Sequence, residues 1–415
     1  MMRRMFRLPR TATAPFCPSE VKGSVGIDAG LPFHKKLWRY AGPGLLVAML
    51  LQTLCVRLGV VAQKDLARAC RERYSPRVNR FLWLGAELAI VACDLAEVLG
   101  SALALHLLFG VSIPVGIAIT AFDTLLVLVL VLGLQGAGFR RVEAIVLGLV
   151  TTIAGCFAVE LAISQPNWFG VAMGFAPSLE RLQQPGALYL AIGIVGATVM
   201  PHNLYLHSSI VQTRLVAKTD AARREAVRFC TIDAVVSLSL ALLVNAAIMV
   251  LAASAFNANG HREVADIEDA YHLIEPLVGS ALAATLFGIA LLASGQSSTF
   301  TGTIAGQIIM EGFLDLKIPC WQRRLITRAL ALVPAFVGVW WLGDGAIGKM
   351  LIASQVVLSF QLPFAIWPLV RFTSDRALMG DYANGPLMKA VAWGLFTVIS
   401  VANVWLVAAV LTEIG

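Results

Sequence analysis

Apolar stretches long enough to cross a bilayer dominate this chain. They lie at about 41–62, 81–108, 111–134, 142–164, 187–213, 229–255, 276–310, 325–342, 347–370 and 388–412. A spanning helix needs roughly 20 apolar residues. In lipid every backbone polar group must be satisfied internally, so helices are the natural solution. The 415 residues are 58% hydrophobic and only 14% charged, against roughly 25% charge in a soluble domain. The reading is an all-α, polytopic membrane protein. The net charge of +7 does not point to nucleic acid, because the basic residues sit in short loops, as the positive-inside rule expects. Cysteines 17, 55, 70, 93, 156, 230 and 320 show no CxxC pair and read as packing residues.

Loop charges orient the helices. Lys64, Arg68, Arg71, Arg73, Arg77 and Arg80 place the 63–80 loop inside. Arg214, Lys218, Arg223, Arg224 and Arg228 do the same for 214–228, and Lys317, Arg323, Arg324 and Arg328 for 311–328. The 256–275 loop is acidic and reads as outside. From residue 81 onward these assignments alternate consistently and leave the C-terminus outside. The first apolar segment conflicts with them. It is basic on both flanks (Lys35, Lys36 and Arg39 before it; Lys64 and Arg68 after), and only 17 residues separate Arg39 from Arg57. That is roughly 25 Å of helix for a hydrocarbon core of about 30 Å. The tail lies outside against the charge rule, the segment is re-entrant, or sequence is missing here. Residues 1–37, basic and without an apolar core, read as a cytoplasmic-type tail rather than a signal peptide.

Two features inside the apolar segments carry chemistry. Met200-Pro201-His202 interrupts the 187–213 run. Pro201 breaks the helical ladder, and a broken helix in lipid is tolerated where it is buried or lines a cavity. Met200 offers a soft sulfur suited to transition metals, and His202 a ring that titrates near neutrality. The second feature is Glu87, Asp94 and Glu97. At about 100° per residue, the first two lie within roughly 20° of each other and the third about 60° further round. Such carboxylates face protein or water rather than lipid.

Several segments resemble the Nramp family of proton-coupled divalent metal transporters of the MntH type. They are Gly196–Arg214 (GATVMPHNLYLHSSIVQTR), Trp83–Ser101, Gly138–Val146, Leu292–Phe313 and Ser354–Arg376. The resemblance runs from about residue 37 to the end, so 38–415 reads as one transport domain. It implies a LeuT-like fold of two inverted five-helix repeats, whose first helices unwind at the midplane. The implied function is proton-coupled import of Mn2+, Fe2+ and related ions across the bacterial cytoplasmic membrane, with no resident cofactor. By resemblance Met200, the Ala197 carbonyl, Asn245 and Gln355 hold the metal, Gln361 being a weaker substitute for Gln355. His202 and His207 serve proton transfer or gating. Glu87, Asp94 and Glu97, with Arg214, Arg323 and Arg324, form the proton route to the inside. Asp123 resembles a further family acid of low weight, and Arg140, Arg141 and Glu143 read as a loop network.

The family's Asp-Pro-Gly-Asn motif is absent. Gly42–Ala48 matches the start of the first family helix, and Met49–Gly59 follows directly, matching the end of the second. The first repeat is therefore truncated, and losing one crossing explains the topology conflict. Two readings follow: a proton-coupled metal importer, or a transport-defective relative acting as a scaffold or sensor. Retained Met200 argues against a Mg2+-type relative. Nothing in the motif pattern supports enzyme chemistry; Ser294–Ser298 (SGQSS) suits close helix packing.

Overall fold

The computed structural model describes residues 34–122, 139–173, 187–213, 219–252, 267, 271, 281–316, 318–343 and 347–414. Among these there is no strand. The helices are α1 (His34–Arg57), α2 (Leu66–Arg73), α3 (Pro76–Phe109), α4 (Ile113–Phe122), α5 (Phe139–Ser164), α6 (Trp168–Met173), α7 (Ala187–Val199), α8 (Pro201–Ile210), α9 (Asp220–Ala252), α10 (Ala281–Leu314), α11 (Cys320–Leu342), α12 (Ile347–Thr373) and α13 (Pro386–Ile414). By length and composition, eight membrane-crossing helices are found among the described residues, counting α7 and α8 together, or nine if a bent pair at the start is one span.

That bent pair comprises most of the first apolar segment and the basic stretch after it. Leu46–Ala62 and Leu66–Arg73 are inclined by 66°. The helix ends through a π-helical turn, Leu58–Ala62, with Gln63 in the left-handed region at φ 51°. The Gln63 side chain donates to the Val60 carbonyl at 2.8 Å, and Asp65 caps α2 by accepting from the Arg68 N–H at 2.8 Å. The freed backbone groups are thus met by side chains, which makes a sharp break sustainable.

α3 occupies the centre. Its most apolar window is 72% buried, whereas those of α5 and α9 are 17% buried, which puts the latter two at the perimeter. Leu147, Val236, Leu240 and Val404 face outward, as lipid contact requires. α3 begins with Pro76 in its first turn and stops at Gly110, whose φ of 67° supplies a left-handed cap. Against α3 lie α10, α11 and α12. α10 comes close to α11 at Gly306, where any Cβ would overlap the Arg323 guanidinium.

The main apolar cluster joins α1, α2, α3, α7, α8, α10 and α12 through Leu51, Leu54, Leu66, Ile90, Leu204, Tyr205, Phe313, Leu362 and Leu369. Beside it the helix ends meet in a polar layer. Arg71 pairs with Asp315 at 3.0 Å and Arg73 with Asp375 at 3.1 Å. Asn79 donates to the Phe313 carbonyl at 2.8 Å, and Tyr382 to the Asp220 carbonyl at 3.1 Å. The 63–80 and 311–328 segments therefore share one face, as their common basic charge required. α1 leads through the π-helical turn into α2 and so ends at that face.

Candidate metal centre and buried charge network

The candidate metal centre lies at the break between α7 and α8. An ordinary helix would pair the Ala197 carbonyl with the N–H of residue 201, but that residue is proline and has none. Met200 stands between the helices at φ 42°, ψ 102°. Such a conformation is costly for a non-glycine residue, about 1–3 kcal/mol, and persists only where surroundings enforce it. The enforcing contacts are visible: Met200 N–H donates to the Gly196 carbonyl at 3.1 Å, and Asn203 N–H to the Met200 carbonyl at 3.0 Å. The Asn203 amide also donates to the Met200 sulfur at 3.5 Å.

Gly196 fixes the turn against α12. A Cβ there would collide with the Gln355 carbonyl oxygen and lie 2.8 Å from Ser359 N. The two backbones touch, which packs the Gln355 backbone against the start of the turn. Gln355 donates to Ser354 Oγ at 3.0 Å, while its side-chain oxygen is buried without a hydrogen-bond partner. A buried, unpaired amide oxygen is an available ligand. The start of α1 also reaches this turn, since a Cβ on Gly44 would lie 3.6 Å from Thr198 Cβ.

One expectation needs correction. Asn245 is not drawn into this site: it is exposed on α9, which packs chiefly on α1 and α5. Its position in an apolar helix disclosed neither facing nor neighbours. Gln361, also buried with an unpartnered side-chain oxygen, donates to the Tyr205 hydroxyl at 3.5 Å and ties α12 to α8. Among the described residues no cluster of three or more His, Cys, Asp or Glu could hold a metal. What the turn offers instead is a thioether and a backbone carbonyl, with the unpaired Gln355 side-chain oxygen on the neighbouring α12.

His202, in the first turn of α8, is 2% exposed. Its Nε2 lies 3.9 Å from Cys93 Sγ, and Cys93 donates to Glu97 Oε1 at 3.7 Å. The other His202 nitrogen, Nδ1, has no partner. Cys93, read from sequence as packing, thus stands between the metal turn and the acidic face of α3. His207 lies half-buried on the same helix.

The α3 carboxylates are matched by α11. Arg324 bridges Asp94 Oδ1 at 2.5 Å and Glu97 Oε2 at 3.2 Å, with all three side chains almost fully buried. Arg328 approaches Glu97 at 3.7 Å, and Arg323 pairs with Glu87 at 3.0 Å. Thr299 donates to Glu97 at 3.2 Å and Trp83 to Glu87 at 3.2 Å. Three acids face three arginines, a balance that makes burial of so much charge tolerable. Asp94 Oδ2 nevertheless remains without a partner. Burial decreases toward the start of α3, with Glu87 at 18% exposure. Arg323 and Arg324 are the cations expected; Arg328 and Thr299 were not singled out as partners. Arg214 and Asp123 lie outside the described residues, as do the side chains of Arg140, Arg141 and Glu143.

Residues 27–409 match the family model described as natural resistance-associated macrophage protein-like, Nramp. The chain belongs to the Nramp family. It is 62% identical to a divalent metal cation transporter MntH of Ralstonia nicotianae, over 99% of this chain and all of the relative. A second, MntH 1 of Pseudomonas aeruginosa, is 59% identical over 97% of this chain and 98% of its own length. The manganese transporter of Eremococcus coleocola, solved with an aromatic bis-isothiourea compound, superposes with a TM-score of 0.82 at 37% identity. That match covers 96% of this chain and 85% of the solved one. The fold is accordingly the LeuT-like one of Nramp proteins, in a multi-pass protein of the bacterial inner membrane. The alignment with the Ralstonia protein runs over 444 residues, and this chain has 415. That Nramp relative therefore carries at least 29 residues without counterpart here.

Proposed function

We propose that the chain imports divalent transition metal ions, Mn2+ and Fe2+ foremost, across the bacterial cytoplasmic membrane, coupled to protons. The observation that carries this reading is the continuity between the two sites. The Met200 turn and the carboxylate–arginine network are joined through His202 and Cys93. A cation at the turn meets the Met200 sulfur, the Ala197 carbonyl and the Gln355 side-chain oxygen. Thioether ligation favours Mn2+, Fe2+ and their neighbours over Ca2+ and Mg2+, which take oxygen.

Proton movement follows the other branch. Asp94 and Glu97 accept hydrogen bonds from Arg324, and Asp94 keeps one oxygen unpaired. A proton that reaches either acid weakens its hold on Arg324, and the freed guanidinium compensates the partner acid. From Asp94 to Glu87 is seven residues, about 10 Å along α3, in the direction of the polar face of helix ends. Glu87, partly exposed, is the exit. Rocking of the broken-helix bundle against α3, α10 and α11 alternates access, as in other inverted-repeat transporters.

Mn2+ uptake into proteoliposomes, with Met200→Ala alongside, tests the proposal. Saturable uptake driven by an inward proton gradient, and weakened at least tenfold by Met200→Ala, supports it. Folded wild-type protein that moves no Mn2+ refutes it in favour of the non-transporting reading.

A further inference from the structure

A cavity of about 470 Å3 opens away from the metal turn, lined by Thr53 and Arg57 of α1, Arg224, Val227, Arg228, Thr231 and Ile232 of α9, and Tyr382. Arg57, Arg224 and Arg228 border it and no carboxylate does, while its lining surface is mostly apolar. Arg57 has a neutral partner, Asn384, at 3.3 Å. Asp220 faces Arg223 at 3.9 Å instead, and Glu225 and Asp233 of the same helix do not line the cavity. Among the described residues, neither Arg224 nor Arg228 has an ion-pair partner. Such clustered, uncompensated positive charge calls for an anion.

The location narrows which anion. Tyr382 joins the polar layer of helix ends through Asp220, so the cavity lies at the cytoplasmic face. Further along α9, Phe229, Ile232, Val236, Leu240 and Leu243 are exposed. Their spacing of three and four residues lays them along one side of the helix. Ile232 belongs to both the cavity and this stripe. An apolar pocket rimmed by arginines at the inner membrane face, continuing into an outward apolar helix face, matches a molecule with an anionic phosphate head and acyl chains. We propose that this cavity holds the headgroup of an anionic phospholipid of the cytoplasmic leaflet, with its chains along α9, clamping α1 to α9. The recognised chemistry is a phosphate ester, which a soluble phosphate also carries; the continuous apolar stripe favours the lipid.

Purified full-length protein, stripped of lipid in detergent, is titrated with phosphatidylglycerol, phosphatidylcholine or inorganic phosphate while its thermal unfolding is followed. Phosphatidylglycerol is expected to raise the midpoint, less so as salt rises, with little response to phosphatidylcholine or phosphate. Arg224→Gln with Arg228→Gln weakens phosphatidylglycerol binding roughly 30-fold, about fivefold for each charge removed. Arg223→Gln leaves it unchanged. An equal response to phosphatidylcholine, the same shift with phosphate alone, or full retention in the double variant overturns the proposal. The wild-type lipid comparison decides the headgroup class even if the double variant does not fold.

Discussion

Gly196→Ala and Gly193→Ala differ by less than one helical turn and are expected to behave oppositely. At Gly193 an added Cβ meets Val356 Cγ2 at 3.6 Å and Ile352 Cγ2 at 3.7 Å, ordinary van der Waals contact. That change is neutral, or stabilising by up to about 1 kcal/mol through helix propensity. At Gly196 the Cβ collides with the Gln355 carbonyl oxygen and approaches Ser359 N at 2.8 Å. Both obstacles are backbone, so neither can rotate away. α7 must retreat from α12 by about 1 Å to restore normal contact, and overpacking of this kind costs about 1–3 kcal/mol. The same retreat separates Gln355 from the Met200 turn. Metal–ligand distances tolerate only about 0.2 Å, so Mn2+ binding weakens at least tenfold, about 1.4 kcal/mol. Isothermal titration of the two purified variants with Mn2+, together with their unfolding midpoints, reads both effects. Indistinguishable affinities for Gly196→Ala and Gly193→Ala would refute the claim that this backbone contact positions the site.

Three further outcomes are expected. Arg324→Gln strips the cation from two buried carboxylates and costs about 3–5 kcal/mol; adding Asp94→Asn recovers part of it, and denaturant unfolding that showed strict additivity would contradict direct coupling. Asn403→Ala removes the buried pair of hydrogen bonds to Ser359, at 3.2 and 2.9 Å, and destabilises by about 1–3 kcal/mol, visible as a lower unfolding midpoint. His202→Ala keeps Mn2+ affinity within about threefold yet reduces H+ entry per Mn2+, measured with an internal pH dye; an unchanged ratio would remove His202 from the proton branch.

Much of this architecture is legible in the residues because membranes permit so few solutions. Apolar length identified the spans, Pro201 located the break, and the seven-residue spacing of Glu87 and Asp94 placed them on one face of α3. Basic flanks on both sides of the first segment marked it as unlike an ordinary span, and its helix pair is bent by 66°. Partner choice was less accessible, because it depends on which helices pack. Arg323 and Arg324 were expected to face the acids, but Arg328 and Thr299 enter only through the approach of α11 and α10. Cys93 looked like filler until His202 and Glu97 were found on either side of it. Asn245 failed for the converse reason: a polar residue in an apolar helix has two sides to choose from. Glu160 carried a signal that was overlooked. The one acid between residues 144 and 164 of α5, it is fully buried with neither oxygen hydrogen-bonded, and an intramembrane acid is a candidate functional group in its own right.

The central claim is that metal and proton movements are joined through the Arg324 network despite the absent acidic motif. Simultaneous recording of Mn2+ and H+ entry in proteoliposomes tests it, comparing wild type with Asp94→Asn. The account predicts that Mn2+ addition drives H+ inward in the wild type, and that Asp94→Asn loses most of that H+ movement while still binding Mn2+. Mn2+ entry without accompanying H+, or H+ entry unaffected by Asp94→Asn, would contradict it.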